Sequence, residues 1–178
     1  MEIKIVDPVG GATVPRGESG EFCTRGYSVM LGYWRDDEKT RQVIDAEGWM
    51  HTGDLAVMRE DGYCSVVGRI KDMVIRGGEN VYPREIEEFL YTHPDIEDAQ
   101  VIGVPDARYG EEICAWLRMK PGVKPLDAND IRAFAEGKLA HYKIPRYVHV
   151  VEDFPMTVTG KVRKVDMRAE SLRLFGLQ

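Results

Sequence analysis

Cysteine is scarce. The 178 residues hold three, Cys23, Cys64 and Cys114, far apart and odd in number. That pattern argues against a disulfide framework and fits reduced, mostly buried thiols of a cytosol-like compartment. No apolar run reaches the roughly 18 residues that a membrane-spanning helix needs. The opening MEIKIVDPVGG lacks the apolar core of a signal peptide. Positive charge is in deficit. A net charge of −6 argues against a general nucleic-acid binder, which works by neutralising phosphates, and leaves only a local basic patch open. His51, His93, His141 and His149 show no H-x3-H or H-E-x-x-H spacing, so they read as structural and no metal site is expected. Internal repeats and low-complexity segments are absent too.

What is present is ordinary for a globular protein: 43% hydrophobic and 30% charged residues, in a length that suits one large domain or two small ones. Residues 1–67 read as β-rich. Ile3–Val6 forms a strand that starts with no lead-in, as though the chain were part of something longer. Glu21–Thr24 and Val29–Leu31 read as extended, and Asp36 caps a helix that continues through Ile44. Glu60-Asp61-Gly62 between two apolar runs predicts a hairpin. Short strands with frequent glycine turns predict a small barrel or bent sheet. After Gly68 the texture changes. Pro83 opens a helix with Ile86, Phe89 and Leu90 on one face, and Glu85, Glu87 and Glu88 on a solvated one. Strands follow at 99–104, 113–119 and 147–151. Asp127 caps a second helix, and a last helix carries Val165, Ala169 and Leu172 inward. The fold class is therefore α+β: a small β-rich subdomain over 1–70 and a compact α+β domain over 71–178.

Some polar stretches stand out. Asp54, after Gly53 and before an apolar strand, reads either as a turn aspartate or as a carboxylate offered to a vicinal diol. Gly77-Gly78 reads as a hairpin turn or as a place where a thin ligand lies against backbone, with Arg69 near enough in sequence to serve a diol or phosphate. Thr157–Lys161 reads as a solvated basic loop or as a flexible loop that brings Lys161 to a transient negative charge.

In order and spacing, the stretches GESGEFCTRGYSVMLGYWRDDEKT, GWMHTGD, GRIKDMVIRGGENVYPREIEE and HYKIPRYVHVVEDFPMTVTGKVRK resemble the carboxyl-terminal motifs of the adenylate-forming acyl-CoA synthetase superfamily. The likeness runs from about Gly17 to Lys164, and the IRGGENVYP wording is most like medium- and long-chain fatty-acyl-CoA synthetases. The resemblance implies two steps. A carboxylate and ATP, with Mg2+, give an acyl-adenylate and pyrophosphate; coenzyme A (CoA) then takes the acyl group and releases AMP. It implies that Asp54 and Arg69 hold the nucleotide ribose, and that Lys71 is the hinge about which a small domain over 71–178 rotates between steps. Lys161 would be the catalytic cation of adenylation. Gly77, Gly78 and Glu79 would line the pantetheine path, with Tyr109, Tyr142, Lys143 and Arg146 as contacts for the rest of CoA.

The stretch departs from the family by what it omits. The phosphate loop, the adenine-contacting strand and the acyl pocket of the large amino-terminal domain are not among these residues, and Gly10-Gly11 lacks the Ser/Thr and Lys of a phosphate loop. These 178 residues alone are therefore expected not to activate a fatty acid. The missing amino-terminal domain, in cis or in trans, is the expected partner, alongside fatty acid and CoA. A split enzyme, or a stand-alone module that binds nucleotide, CoA or protein, are the alternatives. The expected location is the cytoplasm, with an organelle matrix left open.

Overall fold

The structure, a computed structural model, describes residues 1–177. It divides into two units, Met1–Lys71 and a second beginning at Asp72.

The first unit is an antiparallel meander of β1 (Glu2–Val6), β2 (Ser19–Arg25), β3 (Met50–Met58) and β4 (Cys64–Arg69), in that order across the sheet. Helix α1 (Asp37–Val43) sits between β2 and β3 in the chain, and its cap Asp36 accepts the Lys39 N–H at 2.9 Å. The register shifts between Glu21 and Cys23 and again between Leu55 and Ala56, which bends the sheet without closing it. Its small core is Val6, Cys23 and Trp49. A Cβ at Gly20 would strike the Val6 carbonyl oxygen, so β1 and β2 approach as they do only because that residue is glycine. Two readings are corrected. Val29–Leu31 is not extended: the Val29 N–H closes a turn onto the Gly26 carbonyl at 3.0 Å, leaving Leu31 fully exposed. Strand β3 also runs unbroken through Gly53-Asp54, because β4 supplies a partner that far, so Asp54 is a strand residue and not a turn aspartate.

The second unit is organised by β8 (Gly110–Met119). It pairs antiparallel with β7 (Ile96–Asp106), parallel with β9 (Tyr147–Val150), and at Gly110 with β5 (Val74–Arg76), whose other side carries β6 (Glu79–Val81). One face of β8, Ile113, Ala115 and Leu117, packs with Ile86 and Leu90 of α2 (Pro83–Leu90) and Ile131 of α3 (Ala128–Ala135). The other face, Cys114 and Trp116, packs with Met167 of α4 (Lys164–Phe175). Helices thus cover both faces of this strand, and the run from Ile113 to Leu117 is buried throughout. The local signals for the helices are read correctly. Pro83 stands in the first turn of α2, and Asp127 and Asp130 form a reciprocal capping box on α3.

Helix α4 faces the sheet with residues other than those expected. Val165 is 78% exposed, while Met167 and Ser171 are buried. The reason is polar. Strand β7 is an edge, and its free backbone groups are covered by side chains. The Val101 N–H donates to Glu87 of α2 at 2.9 Å. The Val101 carbonyl accepts from Lys164 Nζ at 3.0 Å, and the Gly103 carbonyl accepts from Arg168 Nε at 2.8 Å. Lys164 also pairs with Glu87 at 2.8 Å, so Glu87 is not the solvated residue expected. Among the described residues no helix is long and apolar enough to cross a membrane.

The buried Trp116 indole N–H donates to the Ser171 hydroxyl at 2.9 Å. Ser171→Ala removes that acceptor and is expected to destabilise the fold by about 1–3 kcal/mol. A urea titration should show a lower midpoint with an unchanged slope; an unchanged midpoint would refute the packing of α4 described here.

Candidate functional site

In the first unit Asp54 and Arg69 are direct partners across β3 and β4, and Arg69 Nε donates to Asp54 Oδ1 at 2.9 Å. The backbone before Asp54 is held from behind. The Gly53 N–H donates to the Glu21 carboxylate at 3.1 Å, and the Asp54 N–H donates to the Thr52 hydroxyl, which in turn donates to the Phe22 carbonyl at 2.7 Å. One Asp54 oxygen is engaged by a cation. The other has no partner among the described residues. A fixed, partly exposed carboxylate of this kind accepts hydrogen bonds from hydroxyl groups. Lys71 lies in a single 3-10 turn, Ile70–Asp72, at the boundary between the units, with its side chain exposed.

In the second unit Gly77 and Gly78 have φ of +60° and +89° between the paired residues Arg76 and Glu79. Two left-handed residues in a two-residue hairpin make a type I′ turn, which suits glycine at both positions. The Gly77 N–H donates to the Tyr109 carbonyl at 2.9 Å, and a Cβ at Gly77 would press on the Tyr109 ring at 3.2 Å. Gly77, Gly78 and Glu79 are exposed.

Beside this turn lies an open groove of about 410 Å³, lined by Arg76, Asp106, Arg108, Tyr109, Glu112, Arg132, His141 and Arg146 among others. Its floor is an ion pair. Arg76 binds both oxygens of Glu112, at 2.8 and 2.6 Å, and the Glu112 side chain is 1% exposed. That carboxylate, through its hydrogen bonds, pushes the Arg76 guanidinium further toward its charged form. The Tyr109 and Arg108 N–H groups hold the Asp106 carboxyl below the usual range. Arg146 pairs with Asp106 at 3.0 Å and lies 3.8 Å from Glu112. Arg108 and Arg132 have no ion-pair partner among the described residues. The groove therefore carries uncommitted positive charge and suits an anionic group.

The residues proposed from sequence for CoA divide between places. Tyr109 and Arg146 line the groove. Tyr142 packs against the core beneath α2 and α3, and Lys143 is tied to both oxygens of Glu85 at 2.6 and 2.8 Å. Neither lines this groove, and Glu85 is not simply solvated. Sequence reasoning missed Arg76, Arg108, Arg132 and His141. Arg76 adjoins Gly77 and Arg108 adjoins Tyr109, which were usable signals; Arg132 comes from α3 and gave none.

Lys161 sits at the end of a turn pinned by hydrogen bonds. The Thr157 N–H donates to the Lys161 carbonyl at 2.7 Å, the Lys161 N–H to the Thr157 hydroxyl at 3.0 Å, and the Arg163 N–H to the Pro155 carbonyl at 2.8 Å. Met156 and Val162 pair across it. The Lys161 ammonium is exposed and has no partner among the described residues.

Residues 85–161 match the AMP-binding enzyme C-terminal domain family. The chain is 54% identical over 176 residues to YngI of Bacillus subtilis (strain 168), covering 99% of this chain and 32% of YngI. It is 52% identical over 176 residues to the mitochondrial medium-chain acyl-CoA ligase ACSF2 of Danio rerio, covering 99% of this chain and 29% of that protein. The crystal structure of ATP-bound MatB from Rhodopseudomonas palustris superposes with a TM-score of 0.91 at 37% identity, over 98% of this chain and 34% of MatB. The fold and motifs are those of the carboxyl-terminal part of the adenylate-forming enzyme family. This chain belongs to that family and corresponds to the carboxyl-terminal part of its acyl-CoA synthetases, spanning about a third of the length of the relatives it matches.

The two ion pairs differ in burial, and so should their variants. Arg76→Ala leaves Glu112 buried beside only the more distant Arg146, and is expected to cost about 3 kcal/mol. Arg69→Ala breaks a pair whose arginine is 54% exposed, and should cost less than about 1 kcal/mol. Denaturant midpoints of the two variants check this; equal losses would contradict the assignment.

Proposed function

We propose that this chain is the carboxyl-terminal working part of a fatty-acyl-CoA synthetase, which joins a fatty acid to CoA through an acyl-adenylate while converting ATP to AMP and pyrophosphate. The observation that carries the reading is the pair of exposed cationic features built on the second unit. One is Lys161, free on a pinned turn. The other is the arginine groove beside the Gly77-Gly78 turn. A single positive charge suits the carboxylate and α-phosphate as they react, because a fixed cation stabilises the charge that builds there. A groove with several guanidinium groups suits the phosphates of CoA, and the adjoining side-chain-free turn suits the narrow pantetheine arm.

On this reading Asp54 accepts hydrogen bonds from the ribose hydroxyls, and Arg69 holds its carboxylate in place. Lys71 is the residue whose backbone absorbs the rotation that exchanges Lys161 for the groove, as expected of a hinge at the end of an element. Tyr109 and Arg146 belong to the CoA surface, joined by Arg108 and Arg132. Tyr142 and Lys143 lie away from the groove, the one against the core and the other tied to Glu85 of α2, and act on CoA at most indirectly. Mg2+ would travel with the ATP phosphates. The one group of potential metal ligands found among the described residues, Glu21, Cys23 and His51, contains a thiol and an imidazole and does not suit that hard cation. The fatty-acid pocket would be supplied by an amino-terminal domain. The enzyme would work in the cytoplasm or in an organelle, as the mitochondrial name of the ACSF2 relatives allows.

The test is reconstitution. The 178 residues alone should form no thioester from ATP, fatty acid and CoA. Joined to the large domain of a relative, they should support turnover. In that fused enzyme Lys161→Ala should slow adenylation by at least about a hundredfold, the scale of losing one electrostatic stabiliser. Thioester formation from supplied acyl-adenylate should stay within a few-fold. Robust turnover by the isolated chain, or equal loss of both half-reactions, would sink the proposal.

A further inference from the structure

The sequence offered no metal-ligand spacing, yet β2 and β3 bring three ligand types to one place. Glu21 and Cys23 are two apart on β2, and Cys23 is the direct cross-strand partner of His51 on β3. His51 Nδ1 lies 2.7 Å from Glu21 Oε2 and 3.5 Å from Cys23 Sγ, and Cys23 Sγ lies 4.0 Å from Glu21 Oε2. Bonds of about 2.0–2.3 Å to a tetrahedral zinc ion set ligand atoms about 3.3–3.8 Å apart. The sulfur already meets that spacing from the imidazole, and a turn of the Glu21 carboxylate would have to lengthen its 2.7 Å contact with the ring and shorten its 4.0 Å separation from the sulfur.

We propose that Glu21, Cys23 and His51 form a site for a zinc-class divalent cation, with a fourth position open toward solvent. Sulfur and nitrogen donors favour zinc over magnesium or calcium. A thiolate and a carboxylate together cancel a dipositive charge, which makes a poorly solvated position tolerable. The far ring nitrogen, Nε2, faces Asp45 Oδ2 across 3.7 Å, longer than a hydrogen bond. The near one, Nδ1, is the atom aimed at Glu21 and Cys23. The His51 side chain is 35% exposed, which provides the route in and the open fourth position. Burial and the Glu21 charge push the Cys23 thiol up to about 11. Binding therefore proceeds with loss of the thiol proton to solvent as the metal–sulfur bond forms. The other Glu21 oxygen accepts the Gly53 N–H, one residue before Asp54, so an occupied site would brace the strand that presents that carboxylate.

The experiment uses the tag-free, metal-stripped 178-residue chain. Cadmium titration should raise a thiolate-to-metal absorption band that saturates at one equivalent, and zinc should displace it and raise the melting temperature. Cys23→Ser should abolish the band. His51→Gln removes a ligand and should weaken zinc binding by at least about a hundredfold, the upper end of what losing even an orienting group costs. The proposal is overturned by no band, by a band that persists in folded Cys23→Ser, or by unchanged zinc binding in His51→Gln. If Cys23→Ser does not melt cooperatively, the partly exposed His51 position decides the matter by the same zinc titration.

Discussion

The Arg76–Glu112 ion pair is the constraint on which the second unit's surface depends. Glu112 stands near the start of the central strand with its side chain 1% exposed. A carboxylate there is tolerable only with a cation that meets both oxygens. Arg76, at the end of β5, does so, and thereby seats the β5–β6 hairpin beside β8. The Gly77-Gly78 turn follows from that seating, and the Gly77 N–H then reaches the Tyr109 carbonyl. Arg146 approaches the same carboxylate but pairs more closely with Asp106. One buried charge thus sets the position of the turn, the Tyr109 loop and the arginines around the groove.

The rest of the unit keeps that arrangement stiff. Strand β8 is buried on both faces, so its register cannot slip without exposing one of two cores. The open edge of β7 is sealed by Glu87, Lys164 and Arg168 rather than by another strand. Helix α4 begins right after the Lys161 turn. The contacts that seal the edge therefore also anchor the turn that presents the lysine. Packing and chemistry meet at Lys164, three residues from the exposed ammonium.

Where a local rule decides the structure, the sequence is readable. Asp61-Gly62 gives the β3–β4 hairpin, Pro83 the start of α2, and Asp127 the cap of α3. Where the deciding partner is distant, it is not. The inward face of α4 reads as polar because Ser171 serves Trp116 and the charged stems of Lys164 and Arg168 end on carbonyl groups of β7. The Thr157–Lys161 turn reads as loose because its restraint is backbone hydrogen bonding, which composition does not reveal. Asp54 and Arg69 stand out from their motifs, and the structure makes them partners across two strands. Tyr142, Lys143 and Arg146 are neighbours in sequence, yet the 3-10 turn at His141–Lys143 sends them different ways. The Glu21–Cys23–His51 group was invisible for the same reason: its members meet only through strand pairing.

On the proposed reading, one small unit turns about Lys71 to present first Lys161 and then the arginine groove. The direct measurement is the distance between spin labels at Tyr27→Cys, in the first unit, and Val158→Cys, on the Lys161 turn. Both positions are exposed. The labels would be placed in an enzyme that joins this chain, with Cys64→Ser, to a cysteine-free large domain. Such a rotation should give two separate distance distributions, one with ATP and fatty acid and the other with AMP and CoA. A single distribution, unchanged between the two conditions in an enzyme that completes both half-reactions, would contradict it.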